Sequence, residues 1–302
     1  MNQGFKMKNT IASSELMINP DGSIYHLHLK PGQIANNIIL VGDPERVDMV
    51  ASFFESIEFR IQNREFITIT GSYHGMRISV LSTGIGTDNI DIVMNELDAL
   101  VNIDFETREI KETKISLNLI RIGTSGALQG EIPVEGYLVS SKAVGFDGLM
   151  NFYARRNEIA DVEFEKAFKS HTQWNSLLAS PYVVDCSSLL YDKIVDSEFI
   201  PGITISAPGF YGPQGRELRL GIVDQDINSR IESFRFKEFK ITNYEMECSA
   251  LYGLSKLLGH QALTVCIIIA NRITQGVSIN YKPVMKRLVI NILQKLTSPD
   301  GK

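Results

Sequence analysis

The chain has 302 residues, 30 Lys+Arg against 35 Asp+Glu for a net charge of −5, and a hydrophobic fraction of 44%. That length allows one large domain or two ordinary ones, and buries enough surface to hold a core without disulfide or metal. Ordinary charge and glycine content exclude disordered, collagen-like and coiled-coil chains, no apolar run approaches the roughly 20 residues of a spanning helix, and a mildly acidic balance argues against nucleic acid or anionic membrane as partner.

Residues 1–21 are polar and lack the apolar core of a secretory signal, so they are expected to form a flexible N-terminal segment ahead of a single domain at 22–302. The first strand is Ile38-Ile39-Leu40-Val41. Asp43 then caps a helix with Pro44 at its first position and Val47, Val50 and Phe54 on one face. Ile78-Ser79-Val80-Leu81 is the next strand, followed by a helix over about 88–101 with Ile90, Val93, Met94 and Leu97 as its apolar stripe. Strands follow at Leu119-Ile120-Arg121-Ile122, Tyr137-Leu138-Val139-Ser140 and Ile203-Thr204-Ile205-Ser206. A helix starting near Glu245 carries Met246, Ala250, Leu254 and Leu257. The continuously apolar run 263–269 reads as a central strand, and the last helix covers about 282–296 with Met285, Leu288, Val289 and Ile292. Residues 297–302 are expected to fray. The alternation argues for an α/β fold with a mostly parallel or mixed central sheet flanked by helices. Cys186, Cys248 and Cys266 are odd in number and far apart, which fits a reducing cytoplasm better than a disulfide framework or a zinc site.

Three strands run into glycine-containing turns: Gly42-Asp43-Pro44-Glu45-Arg46, Ser82-Thr83-Gly84-Ile85-Gly86 and Gly123-Thr124-Ser125-Gly126. Strand carboxyl ends line the ligand crevice of an open α/β sheet, and glycine lets backbone N–H groups approach an anion. None of these turns is a Walker A loop or a dinucleotide fingerprint, and ordinary connectors would look the same. Arg46 and Arg121 favour an anion. Arg121 sits inside an apolar strand and needs a partner there, either a structural carboxylate or a bound phosphate. Glu245 and Glu247 precede an apolar helix. Complementing the helix dipole would explain one of them, and a ribose diol would suit the other. The loop Phe210-Tyr211-Gly212-Pro213-Gln214-Gly215-Arg216 interleaves an aromatic ring, an amide and a guanidinium, donors suited to a flat heterocycle with carbonyl edges, although such a run also occurs as a plain surface loop.

These stretches, with Asn63-Arg64-Glu65-Phe66, occur in one order between about 25 and 293 and together resemble the nucleoside phosphorylase superfamily of the purine nucleoside and uridine phosphorylase type. Within it the chain is most similar to the uridine phosphorylases. Phe210, Gln214 and Arg216 match that branch's uracil loop, and Asn271-Arg272 stands where purine enzymes typically carry Ser-Asp. The resemblance implies uridine and phosphate as substrates, a pentosyltransferase, and no organic cofactor, with inorganic phosphate as co-substrate. It implies that Gly42, Arg46, Arg121 and Thr124 hold phosphate, joined by Arg64 of a neighbouring subunit. Met246 and Glu247 would hold ribose, joined by His26 across the interface, while Glu245 and Arg272 lie near the site. In that branch Glu65, Ile85 and the residue at the Asn89 position can surround a monovalent cation; Thr87-Asp88-Asn89 departs from the usual Gly-Pro-Ser there. The stretch 102–117 resembles an extension of the dimeric animal-type enzymes, so a homo-oligomer, a dimer rather than a hexamer, is expected. The rivals are a purine nucleoside phosphorylase or nucleosidase of the same fold, and a non-catalytic nucleoside-binding protein.

Overall fold

The computed structural model describes residues 10–298. The first strand, β1 (Asn37–Val41), leads into helix α1 (Pro44–Ala51), a hairpin of β2 (Ser56–Asn63) and β3 (Phe66–Tyr73), then β4 (Met76–Ser82) and α2 (Thr87–Asn102). A two-residue hairpin, β5 (Ile103–Asp104) and β6 (Glu109–Ile110), precedes the long strands β7 (Asn118–Ala127) and β8 (Tyr137–Gly145). Helices α3 (Arg156–Ile159) and α4 (Val162–Thr172), strand β9 (Tyr182–Asp185), α5 (Ser188–Ile194) and β10 (Phe199–Ser206) follow. The chain ends with α6 (Ile227–Ser233), β11 (Ile241–Glu245), α7 (Cys248–Leu258), β12 (Gln261–Asn271), β13 (Gly276–Val277) and α8 (Lys282–Thr297).

The sheet is mixed. β1 runs parallel to both β4 and β7, and β10 runs parallel to both β8 and β11. β12 pairs parallel with β7 and antiparallel with β8, while β11 pairs antiparallel with β7. These pairings close β7, β11, β10, β8 and β12 into a ring, with β1, β4, β3 and β2 extending from it. On one side α2 and α7 bury Ile90, Val93, Met94 and Leu97 against Ala250, Leu251 and Leu254. On the other side α1, α5 and α8 bury Val47, Val50, Leu190, Ile194, Met285, Leu288 and Ile292. Each Val, Leu, Ile or Met among them contributes about 1.5–3 kcal/mol by leaving water.

The stripes expected for α2 and α8 are found, and Asp43 caps α1 by accepting the Glu45 N–H at 2.9 Å; the helix expected from near Glu245 instead begins at Cys248, so Glu245 ends β11 and Met246 precedes the helix. α1 stops at Ala51, so Phe54 lies beyond it. Two expectations fail locally. The Gly123-Thr124-Ser125-Gly126 run is no turn; β7 continues to Ala127, paired with β12 and β11. Its glycine answers crowding, since a Cβ at Gly123 would stand 2.3 Å from Arg121 Nη1 and 3.1 Å from Cys266 Sγ. Part of the N-terminal run expected to be flexible is packed. Leu16 is buried, Ile11 N–H bonds Arg108 O at 2.9 Å, and Arg108 Nη1 donates to Leu16 O at 3.1 Å. Arg108 belongs to the β5–β6 hairpin, so the 102–117 extension clasps that run. Of the C-terminal run expected to fray, Thr297 still belongs to α8; residues 1–9 and 299–302 lie outside the described residues.

Candidate active site

The carboxyl ends of β1, β4, β7, β11 and β12, with the loop after β10, open into one cavity of about 820 Å³. Gly42 enters from the β1–α1 connection, Arg46 from the first turn of α1, and Arg121, Thr124 and Ser125 from β7. Arg46 is buried and donates from Nη1 to Ile122 O at 3.2 Å, which ties α1 to β7. A Cβ on Gly42 would lie 3.9 Å from Arg121 Nη2, so the Gly42 backbone and both guanidinium groups converge. Burial pushes the Arg46 pKa down, and the charge of Arg121 adds to that. Arg121 Nε and Ser125 Oγ are buried and carry no hydrogen bond. Two cationic groups, an uncommitted hydroxyl and backbone N–H groups form a corner suited to a polyoxygenated anion.

Of the two alternatives left open for Arg121, the structure shows the carboxylate partners. Its Nη2 is ion-paired with Glu247 Oε2, and its Nη1 stands 3.5 Å from Glu245 Oε2. Burial opposes the Arg121 charge, but the two carboxylates outweigh it and hold its pKa above the ordinary value. The two glutamates divide their work. Glu245 accepts the N–H groups of Glu247 at 2.9 Å and Cys248 at 2.9 Å, at the N-terminus of α7. Glu247 faces the cavity, where its Oε1 accepts the Gly86 N–H at 2.7 Å. Gly86 has φ +100°, a region that favours glycine, which aims that N–H at Glu247. Burial raises the Glu245 pKa to about 7, with Arg121 opposing and Glu247 adding to the rise.

Phe210, Gln214 and Arg216 also line the cavity. The Arg216 guanidinium lies 3.9 Å from the Phe210 ring centroid, and its Nη1 donates to Phe210 O at 2.6 Å and Gln214 Oε1 at 2.5 Å. Burial and the neighbouring charge of Arg272 bring the Arg216 pKa down to about 10. Arg272 does not line the cavity. Its Nη1 donates to Gln214 O at 2.5 Å and its guanidinium lies 5.2 Å from the Tyr244 ring centroid, so it braces the loop from behind. Asn271 is spent on backbone: Nδ2 donates to Gln129 O and Ile132 O, and Oδ1 accepts from Ile273 and Thr274.

Met246 completes the wall beside Glu247. Two expected residues lie outside the cavity of their own chain. His26 Nδ1 is 2.6 Å from Glu96 Oε1, and exposed Arg64 has its guanidinium 5.9 Å from the Tyr25 ring centroid. Glu65, exposed Ile85 and Asn89 sit together at the cavity edge, where Asn89 Nδ2 donates to Ile85 O at 3.4 Å. Sequence reading missed Ser206, which donates to Glu245 Oε1 at 2.5 Å, and Tyr244 and Tyr281, which line the cavity. A hydroxyl ending the Ile203-Thr204-Ile205 strand was the one available signal for Ser206. Tyr281 gave none beyond its place ahead of the last helix.

The model of the phosphorylase superfamily matches residues 37–293. A uridine phosphorylase from Thermococcus kodakarensis is 30% identical over 89% of this chain and 84% of its own length. A DeoD-type purine nucleoside phosphorylase from Listeria monocytogenes is 28% identical over 80% of this chain and 85% of its own. A crystal structure of a Trypanosoma brucei nucleoside phosphorylase, described as showing uridine phosphorylase activity, superposes with a TM-score of 0.83 at 28% identity, covering 93% of this chain and 99% of that one. With the matched region spanning both the sheet and every wall of the cavity, the chain belongs to the phosphorylase superfamily.

Proposed function

We propose that the protein is a uridine phosphorylase, converting uridine and phosphate reversibly to uracil and ribose 1-phosphate. The observation that carries the base assignment is the Phe210–Gln214–Arg216 wall braced by Arg272, with no acid at the position where purine enzymes place one. In this reading phosphate sits among Gly42, Arg46, Arg121 and Thr124. Its oxygen attacks the anomeric carbon as the bond to uracil N1 lengthens, and the bonding pair leaves with uracil. That charge spreads over the carbonyl oxygens, where Arg216 and Gln214 donate. Glu247 holds the ribose hydroxyls beside Met246, and the phosphate dianion favours the cation-like sugar. Positioning and electrostatics then supply the catalysis, with no covalent enzyme intermediate.

The reading includes a homodimer in which Arg64 and His26 serve the neighbouring site, supported by their placement outside their own chain's cavity. It includes a cytoplasmic setting, supported by three free cysteines and by no helix among the described residues long and apolar enough to cross a membrane. Phosphate is the co-substrate and no organic cofactor takes part. The purine alternative draws on the Listeria relative. A panel of uridine, 2′-deoxyuridine, thymidine, inosine and adenosine, with and without phosphate and read for free base, decides. Uridine cleavage that requires phosphate is expected. Cleavage without phosphate would mean a nucleosidase, inosine turnover matching uridine would reject the base assignment, and binding without turnover would mean a non-catalytic protein.

A further inference from the structure

Glu245 lines the cavity beside Glu247, but its carboxyl is saturated by protein groups. Its side chain is 1% exposed. Oε1 accepts the Ser206 hydroxyl at 2.5 Å and Cys248 N–H at 3.0 Å, while Oε2 accepts Glu247 N–H at 2.9 Å and faces Arg121. The first N–H groups of a helix lack intrahelical partners, and the N-cap side chain normally accepts them. The N-cap of α7 is Glu247, with φ −140°, ψ −27° and no side-chain cap bond of its own. Glu245, two residues earlier, accepts the N–H groups there.

We propose that Glu245 is a positioning residue that relieves Glu247 of capping α7 and so holds the Glu247 carboxylate toward the ribose hydroxyls. The support continues behind it. Ser206 Oγ accepts Ser249 N–H at 2.9 Å, and Ser249 Oγ donates to Asp147 Oδ2 at 3.0 Å. Asp147 Oδ1 in turn accepts the Tyr182 hydroxyl at 2.9 Å. This buried chain ties β10, α7 and the β8 carboxyl end to one carboxylate. With an amide in place of the Glu245 carboxylate, one oxygen becomes a donor facing the Ser206 hydroxyl or Arg121. The N–H groups then compete for the Glu247 carboxylate, which turns away from the cavity. Only the sugar end of a ligand senses this.

The inference rests on the proposed nucleoside reading, and binding without phosphate separates the two. At about pH 8.5, above the raised Glu245 value so that its carboxylate is ionised, calorimetry of uridine and of uracil, without phosphate so that no turnover occurs, is carried out on wild type, Glu245→Gln, Ser206→Ala, Glu247→Gln and the double Glu245→Gln/Glu247→Gln. Uridine affinity should fall about tenfold in Glu245→Gln and less in Ser206→Ala, while uracil affinity stays within about twofold. The double variant should bind uridine no more weakly than Glu247→Gln alone, because Glu245 acts through Glu247. Equal loss for uridine and uracil, no loss for uridine, or additive losses in the double variant would overturn the inference. If wild type binds inosine in place of uridine, the base assignment fails and the same ratios are read with inosine against hypoxanthine. If Glu245→Gln does not fold, Ser206→Ala carries the comparison.

Discussion

Arg216 is held in place before any ligand arrives. Its guanidinium stacks on Phe210 and is anchored to the loop carbonyl and to Gln214. Burial beside Arg272 has already lowered its pKa to about 10, so a carbonyl bearing developing negative charge finds a partly desolvated donor. Removing a charged hydrogen bond costs about 1.5–3 kcal/mol, and Arg216→Ala should lower kcat/KM for uridine roughly 10–150-fold. Steady-state kinetics with uridine checks this, and an unchanged value would remove Arg216 from the base subsite. Glu245 leaves its mark on stability. Its folded pKa of about 7 lies above the ordinary 4.5, so the folded state keeps a proton that the unfolded chain has released. Its contribution is full below the unfolded value and is lost as pH rises through the folded one. Wild type should therefore lose stability between about pH 4.5 and 7 relative to Glu245→Gln, whose side chain does not titrate. Urea midpoints of both proteins across that window measure the difference, and parallel profiles would mean that Glu245 titrates normally.

At the scale of an element, β7 carries the cationic corner. It lies between β1 and β12, with Arg121 in register with Leu40 and Thr264, so the side chain is fixed at the junction of the ring and its extension. Gly123 leaves room for that guanidinium. Gly123→Ala should displace Arg121 and raise the KM for phosphate, as Arg121→Ala itself is expected to, and the double variant should be no worse than Arg121→Ala alone. Phosphate titrations of the three proteins test this. A normal phosphate KM in Gly123→Ala, with fold retained by circular dichroism, would show that Arg121 reaches the anion by another path.

For the whole molecule the open question is whose site Arg64 and His26 serve. If they act on a neighbour, Arg64→Ala and Glu247→Ala each spoil every site of a homodimer. In a mixed dimer both lesions fall in one site and the other is intact. Mixing the two inactive proteins under subunit exchange should restore activity, up to roughly a quarter of wild type for random exchange and independent sites. Exchange confirmed by native mass spectrometry without recovery would place Arg64 in its own chain's site or in none.

The sequence by itself determined the local pieces. The Asp43 cap with Pro44, the stripes of α2 and α8 and the ordered motifs are readable because periodicity and capping are short-range. The same short range explains the failures. Gly123 and Gly126 resemble turn formers until β12 and β11, distant in the chain, pair with that segment and draw it out as strand. Leu16 sits in a polar run, and only tertiary packing buries its side chain in the core with the α2 and α7 stripes and gives its carbonyl Arg108 of the later β5–β6 hairpin as partner. Two glutamates two residues apart are equivalent on paper. The tertiary structure decided which one caps α7 and which takes the Gly86 N–H at the cavity, because Ser206, Gly86 and Arg121 reach the two carboxylates from three other strands and connections. Pairing across long sequence separations is set by the packing of the whole chain, and no local pattern encodes it.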